Sequence, residues 1–435
     1  MQEANENYVY LSNKDNAINL AQNSVQPLYG DLKFKVADSS TALRFYPLFE
    51  KTAPGIYEIR GVVFDSSATP YNTTTSWDAR MFPGFWYNFG GGKYTETLKI
   101  VNQDASNLTV NSRVIGEKNL QYNTSRSDQK FCVFSEKNKK VENGLEYNST
   151  TKTFTLNATG GYYARLGWFG NLYVALNGKT NKLAKLIKEQ KKDEKQTLKV
   201  GTPWNLGEGY ELTVKALDTS TSPRQATLIF TKDGKTLDKK VVKEGDVYTY
   251  IEKSVSGENN VPVFVTYVES IFSSGEALVQ LRYTWLISQN VLEIKAGDEF
   301  GVFKVQEANE NYVLLFNEDN PINLAQNSVQ PLYGDLKFKV ADSSTALRFY
   351  PYIEQTITAP VVEEKASAQA TTPQQTVAPA DSPAVSEPAG AESLEPVQPI
   401  ETATPSTTTA LPIQWNWVLF AIVGLIVGYL VLKRD

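Results

Sequence analysis

QEANENYVYLSNKDNAINLAQNSVQPLYGDLKFKVADSSTALRFYP, residues 2–47, returns at residues 306–351 with 42 of 46 positions unchanged. Inside it, Leu32-Lys33-Phe34-Lys35-Val36 decides the fold class. Apolar and basic side chains alternate there, so one face of an extended chain is apolar and the other wet, as in a half-buried antiparallel strand. After an Asp38-Ser39-Ser40 turn, Leu43-Arg44-Phe45-Tyr46 repeats the alternation. The four differences between the copies pair Tyr10 with Leu314, Ser12 with Phe316, Lys14 with Glu318 and Ala17 with Pro321. Self-similarity at a fixed offset, here 304 residues, marks an array of domain-sized units. Residues 1–50 then read as the end of a preceding unit. The opening MQEANENYVY has neither the basic nor the apolar region of a signal peptide, and the expectation is a longer tandem protein.

Working outward, further strands are predicted at 56–64, 95–101, 131–135, 153–156, 162–168, 210–216, 226–231, 261–268 and 279–287. Lys232-Asp233-Gly234-Lys235 is a hairpin signal. Residues 183–195, LAKLIKEQKKDEK, fit a helix with Leu183, Leu186, Ile187 and Gln190 on one face, or a strand running into a charged turn; the strand and turn are favoured. Short strands at this spacing predict an all-β chain built of β-sandwiches.

Composition removes several kinds of chemistry. Histidine is absent, which excludes Ser-His-Asp and Cys-His catalysis and His-bearing metal sites. The lone Cys132 forms no internal disulfide, and Phe131-Cys132-Val133-Phe134 reads as a buried strand with Cys as a small apolar filler. A net charge of -5 argues against a nucleic-acid partner. No cofactor, metal site or catalytic residue is assigned. Asn317-Glu318-Asp319-Asn320 carries hard oxygen ligands, but its sister Asn13-Lys14-Asp15-Asn16 replaces the glutamate with lysine, so a solvated turn is the reading. Phe82, Phe85, Trp86, Tyr87 and Phe89 offer either a sugar-stacking platform or strand core; the alternation of Phe85, Tyr87 and Phe89 favours core, and Tyr162-Tyr163 and Trp168-Phe169 read likewise. Five N-x-S/T sequons, at Asn72, Asn107, Asn123, Asn148 and Asn157, all fall in the first predicted sandwich, which is therefore expected to be the more glycosylated, outward-facing one.

The C-terminal part changes character. Residues 354–412 form a Pro/Thr/Ala-rich segment, with nine of the 20 prolines at 359–412, and are predicted to be a disordered stalk. Fully extended, residues 359–412 reach roughly 170 Å, and as a loose coil about 40 Å. Residues 413–432 are apolar over about 20 positions, enough for one transmembrane helix. Trp415 and Trp417 suit one headgroup layer, and Lys433 and Arg434, in the last three residues 433–435, suit the cytoplasmic side. This orientation puts the N-terminus outside and membrane lipid among the partners. Gly424 and Gly428 form a G-x-x-x-G pair of the kind that lets two helices approach in lipid.

The two ends of the unit carry a resemblance. Tyr57-Glu58-Ile59-Arg60-Gly61-Val62-Val63 and Leu347-Arg348-Phe349-Tyr350-Pro351-Tyr352 resemble the start and end of the S-layer duplication domain of Methanosarcina-type archaea. Between them, Gly84-Phe85-Trp86-Tyr87, Thr95-Glu96-Thr97-Leu98, Leu183-Ala184-Lys185, Gly201-Thr202-Pro203 and Glu208-Gly209-Tyr210-Glu211-Leu212 are similar too. The resemblance implies paired β-sandwiches, one over 55–200 and a second over 201–353, tiling with like subunits into a glycoprotein lattice outside the cytoplasmic membrane, with sieving pores often lined by acidic groups. Gly90-Gly91-Gly92 and the lysines at 188, 191, 192 and 195 stand where the family tends to be acidic. The leading expectation is a membrane-anchored structural subunit of a cell-surface S-layer, a coat and permeability barrier without chemistry of its own. A stalked adhesin or carbohydrate-binding ectodomain is the alternative, and a carboxylate-dependent surface glycosidase a third class.

Overall fold

The computed structural model of the chain describes residues 3–4, 9–10, 12–13, 16–68, 74–102 and 107–358. Of the predicted stalk 354–412, residues 354–357 are instead the end of the strand Arg348–Ile357, held by pairing with residues 55–58. Its part beyond 358, the apolar segment 413–432 with Trp415, Trp417, Gly424 and Gly428, the terminal Lys433 and Arg434, and the sequon asparagine Asn72 lie outside the described residues. Among the described residues no helix is long and apolar enough to cross a membrane. The fold is all-β, its strands joined by turns, with 3-10 turns at Cys132–Ser135 and Leu176–Gly178.

Two sheets enclose a first core. One is six-stranded, in the order Glu299–Phe300, Phe303–Ala308, Tyr312–Phe316, Leu120–Ser125, Glu96–Ile100, Ser76–Asp78. The other runs Val329–Tyr333, Leu336–Val340, Arg348–Ile357, Gly55–Arg60, with Phe64–Asp65 also on the long strand. Trp77 from the first sheet packs on Phe338 (5.8 Å between ring centroids) and Phe349 (6.1 Å) from the second. All three side chains are fully buried.

The second core lies between a four-stranded sheet (Pro203–Gly207, Tyr210–Asp218, Gln225–Lys232, Lys235–Lys243) and a ten-stranded one. Phe230 and Phe264 stack across it at 4.6 Å. The hairpin predicted at 232–235 joins two of these strands, with Asp233 at φ 49° and Gly234 at φ 75°, the paired positive angles that a two-residue turn between twisted strands needs. Lys182–Glu189 is a strand leading through a charged turn to Lys195–Lys199, as the favoured reading had it. The ten-stranded sheet is dominated by Glu258–Ser274 and Glu276–Glu293, 17 and 18 residues long, reversing at Gly275.

The cores share a wall. Along Tyr162–Trp168, Ala164, Leu166 and Trp168 point into the first core and Tyr163 into the second. A strand buried on both faces has no polar side, which is why 162–168 reads as an almost continuous apolar run. The chain also returns: the first core takes side chains from 64–183 and again from 294–349. As a result the opening strand Gly55–Arg60 pairs with the closing strand, Gly55 opposite Ile357 and Arg60 opposite Tyr352.

One predicted strand is different in kind. At 131–135 the chain makes a 3-10 turn, with Phe134 and Glu136 amides bonded back to Phe131 and Val133 carbonyls. Phe131 and Val133 are buried while their neighbours are less so, and that period-two burial mimics a strand.

Candidate assembly surface

The two copies of the repeat fold alike. Val25–Tyr29, Leu32–Val36 and Phe45–Phe49 form a three-stranded sheet whose register (Val25 opposite Lys35, Pro27 opposite Lys33, Tyr29 opposite Leu32) is that of Val329–Tyr333 and Leu336–Val340. Gly30 and Gly334 turn at φ 53° and 55°, and Asn23 and Asn327 both sit at 55°. Lys33 pairs with Glu50 at 2.6 Å, and Lys337 with Glu354 at 3.0 Å.

Their surroundings differ. In the second copy, the outer edge of Arg348–Ile357 carries Gly55–Arg60 and Phe64–Asp65. Glu58 on that added strand accepts from Lys339 and Tyr350, both at 2.7 Å, and Asp65 accepts from Arg348 at 2.7 Å. Phe338 and Phe349, 5.1 Å apart, are covered by Trp77 and Phe64. Arg113 closes the far end, donating to Leu324 O and Ser343 O, while Leu324 N donates to Arg113 O.

In the first copy some of these places are open, although Leu48, the counterpart of Tyr352, is fully buried. Phe34 and Phe45 make the same edge-on pair at 5.1 Å, but Phe45 is 45 % exposed where Phe349 is 0 %. Tyr29 is 88 % and Leu43 64 % exposed. Among the described residues the strand Phe45–Phe49 pairs on one side only, and Lys35 has no acidic partner. Where Arg113 closes the second copy, the first has a cavity of about 250 Å³ bounded by Leu20, Ser39, Ala42 and Leu43.

The first copy is nonetheless held in place. Arg44 donates to Gly90 O at 2.9 Å, and the Tyr46 ring meets Phe89 edge-on at 4.7 Å. Gly92 sits at φ +65°, and a Cβ there would collide with the Arg44 guanidinium. The glycine run thus makes room for the arginine that docks on it.

The remaining candidates resolve into structure. Phe82 and Phe85 are buried, 4.8 Å apart, and Phe85 faces Tyr122; they reach the core from turns, not from the alternating strand predicted. Cys132 lies half-buried, its thiol pushed up to about 12 by burial and by Glu189 beside it, which rules against a reactive thiolate. Asn317 is buried, not part of a solvated turn: its Oδ1 accepts from Leu120 N at 2.7 Å, and its Nδ2 donates to Gly116 O and Asn320 O at 2.9 Å each. Glu318 pairs with Lys118 at 2.9 Å. Lys188 covers Trp204, and Lys195 pairs with Glu269.

One buried acid had no sequence signal. Glu96 is fully buried and accepts from Trp86 N (3.0 Å), Gly170 N (2.8 Å) and Tyr122 OH (2.9 Å). Burial pushes its carboxyl up to about 7, outweighing the three hydrogen bonds that favour the charged form. Its donors tie together three segments of the first core, and nothing in the arrangement presents it to a substrate.

The sequons sort by exposure. Asn107, Asn148 and Asn157 are exposed, and Asn148 and Asn157 flank the hairpin Leu145–Asn148 and Thr153–Leu156. Asn123 sits mid-strand between Thr97 and Leu314, its Oδ1 shut from solvent.

A sequence profile described as S-layer protein matches residues 66–342. The chain is 32% identical over 358 residues to the Major S-layer protein of Methanosarcina barkeri, covering 80% of this chain and 47% of that one. It is 30% identical over 377 residues to the Major S-layer protein of Methanosarcina acetivorans (84% and 50%), and 30% over 362 residues to that of Methanosarcina mazei (81% and 48%). The chain spans about half the length of the curated relatives it matches. With a profile spanning both cores, and with these relatives, the chain belongs to the S-layer protein family.

Proposed function

We propose that this chain is a structural subunit of a cell-surface coat, its sandwiches associating sideways with like units into a two-dimensional layer that acts as envelope and permeability barrier. The observation that carries this is the family match across both sandwich cores. The fold is consistent with it. The buried polar groups described above, Glu96 and Asn317, spend their hydrogen bonds on holding strands together. Of the aromatic cluster read as either sugar platform or core, with core favoured, Phe82 and Phe85 lie inside the core.

The finer parts of the reading are proposals of the same kind. Residues 413–432 anchor the coat in the cytoplasmic membrane, with Trp415 and Trp417 in the outer headgroup layer and Lys433 and Arg434 inside, and Gly424 and Gly428 bring two anchors together. Glycans at Asn107, Asn148 and Asn157 face outward, and residues 1–50 close a preceding unit. Electron microscopy of isolated envelopes tests the main statement. A regular lattice that binds an antibody to this chain is the expected result; sparse single spikes overturn it and point to an adhesin.

A further inference from the structure

The outer edge of a sheet presents an unpaired row of backbone donors and acceptors, a template for another strand. Among the described residues, ten strands of four residues or more pair on one side only. Nine of them carry a proline or a charge within the strand, the devices that blunt such an edge. Proline stands on Val25–Tyr29, Phe45–Phe49, Pro203–Gly207 and Val329–Tyr333. Charged residues stand on Gly55–Arg60, Ser127–Lys130, Lys195–Lys199, Lys235–Lys243 and Val247–Val255.

The tenth is Thr153–Leu156, and it has neither. Its Thr-Phe-Thr sequence favours sheet. The strand pairs with Leu145–Asn148 on its inner side, while Thr153, Thr155 and Leu156 are exposed, Leu156 by 53%. Nothing within the strand guards its outer edge. Two of the three exposed sequon asparagines flank it: Asn148-Ser149-Thr150 opens the turn before it, and Asn157-Ala158-Thr159 follows directly. Asn148 lies opposite Thr153, and the amide of Asn157 still bonds to Gly144 O at 3.2 Å, so the sheet alternation carries on to it. Asn148, Thr153, Thr155 and Asn157 therefore share one face, opposite to Phe154, whose ring packs on Tyr147 at 4.9 Å. Thr153 and Asn157 stand about 13 Å apart along the chain, with the whole edge between them. Asn148 Oδ1 accepts from the amides of Thr150 and Thr151 at 2.9 and 3.1 Å, which fixes its carboxamide in the exposed turn.

We propose that Asn148 and Asn157 both carry glycans and that these two sugars guard the edge Thr153–Leu156, in the role that proline and charge have on the other edges. Stripped of them, the edge adds the same strand of a second copy. The transfer joins each Nδ2 to the anomeric carbon of a sugar, breaks that carbon's bond to the phosphate of an activated sugar donor, and releases the Nδ2 proton. The exposure of these sites to the outside of the cell rests on the proposed function; the need for a guard rests on the strand itself.

The test compares the full chain in detergent, isolated with its sugars from its native envelope, with the same chain made in a host that adds none. The expected result is sugar on both asparagines of the native chain by glycopeptide mass spectrometry. In the bare chain, amide exchange at 153–156 slows about tenfold or more as protein concentration rises, and in the native chain it does not. Thr155→Lys keeps both sequons, puts a charge on the exposed face and abolishes the slowing in the bare chain. Unchanged protection of Glu258–Ser274 shows that the bare chain has folded, and native chain stripped of sugar after folding gives the same comparison by a second route. Three results overturn the proposal: either asparagine bare in the native chain, no slowing at 153–156 in the sugar-free chain, or slowing that survives Thr155→Lys. A regular lattice with either asparagine bare would sink the guard and leave the coat standing, and sparse spikes carrying both sugars would do the reverse.

Discussion

Asn317 and Asn13 are the same residue in two copies of one sequence, and removing each side chain should have very different consequences. Asn317→Ala deletes three hydrogen bonds. The amide of Leu120, in a fully buried residue, loses its only side-chain acceptor, which costs about 1–3 kcal/mol. Asn320 is exposed and its carbonyl regains water, while Gly116 O keeps the amide of Asn119, so those two losses add about 1 kcal/mol together. The sum is roughly 2–4 kcal/mol, or about 5–12 °C in melting temperature for a domain of this size. Among the described residues the Asn13 side chain makes one exposed bond, to Asn16 O at 3.2 Å, and Asn13→Ala should cost no more than about 0.5 kcal/mol. Thermal unfolding of both variants, followed by tryptophan fluorescence, measures the difference. Hydrogen exchange at Leu120 localises it, since that amide should exchange faster only in Asn317→Ala. Equal melting temperatures, or an unchanged Leu120 amide, would refute the reasoning that burial separates the copies.

Glu96 makes the first core sensitive to pH. Its folded carboxyl titrates at about 7 against a free value of 4.5, so between these pH values the folded state holds a proton that the unfolded state has lost. Stability from this group is therefore complete below about pH 4.5 and is lost as pH rises through 7, by on the order of 3 kcal/mol. Urea unfolding of the chain and of Glu96→Gln at pH 5 and pH 8 should show the variant with the smaller change; parallel curves would refute the assignment. Gly92→Val should push Arg44 off its seat and speed proteolysis near residues 44–54 without lowering the melting temperature of the cores. Glycopeptide mass spectrometry of native envelopes should find sugar on Asn107, Asn148 or Asn157 and none on Asn123, whose amide oxygen is enclosed in a sheet; an occupied Asn123 contradicts that enclosure.

Local alternation was enough to place strands such as Leu336–Val340, Gln225–Lys232 and the Asp233-Gly234 turn, because each has one wet and one dry face or a turn with a strict backbone demand. It failed where burial follows a different geometry. Phe131 to Phe134 alternates in burial but turns, and the Phe82 to Phe85 stretch reaches the core from turns. Asn317 looked like a wet turn because its partners Gly116 and Leu120 lie some 200 residues away in sequence. The return of 294–349 to the first core has no local signature either, since a strand's own residues do not name the sheet it joins. The different surroundings of the two copies were invisible for a further reason: both carry nearly the same residues, and the difference lies in what covers them. The clue was in the repeat itself, which includes the closing strands but not residues 55–65.

Gly55 and Ile357 stand side by side at one end of an antiparallel pair, so tension applied along the polypeptide acts on that pair from its open end. The rungs from Ile357–Gly55 to Tyr352–Arg60 then carry the load one after another, as in a peeled tape, and not all together as in a sheared lap joint. The expected behaviour is early, low-force lengthening that leaves both cores closed. Pulling single molecules by their ends should record that first yield well before the larger rupture, and a single high-force event would contradict it.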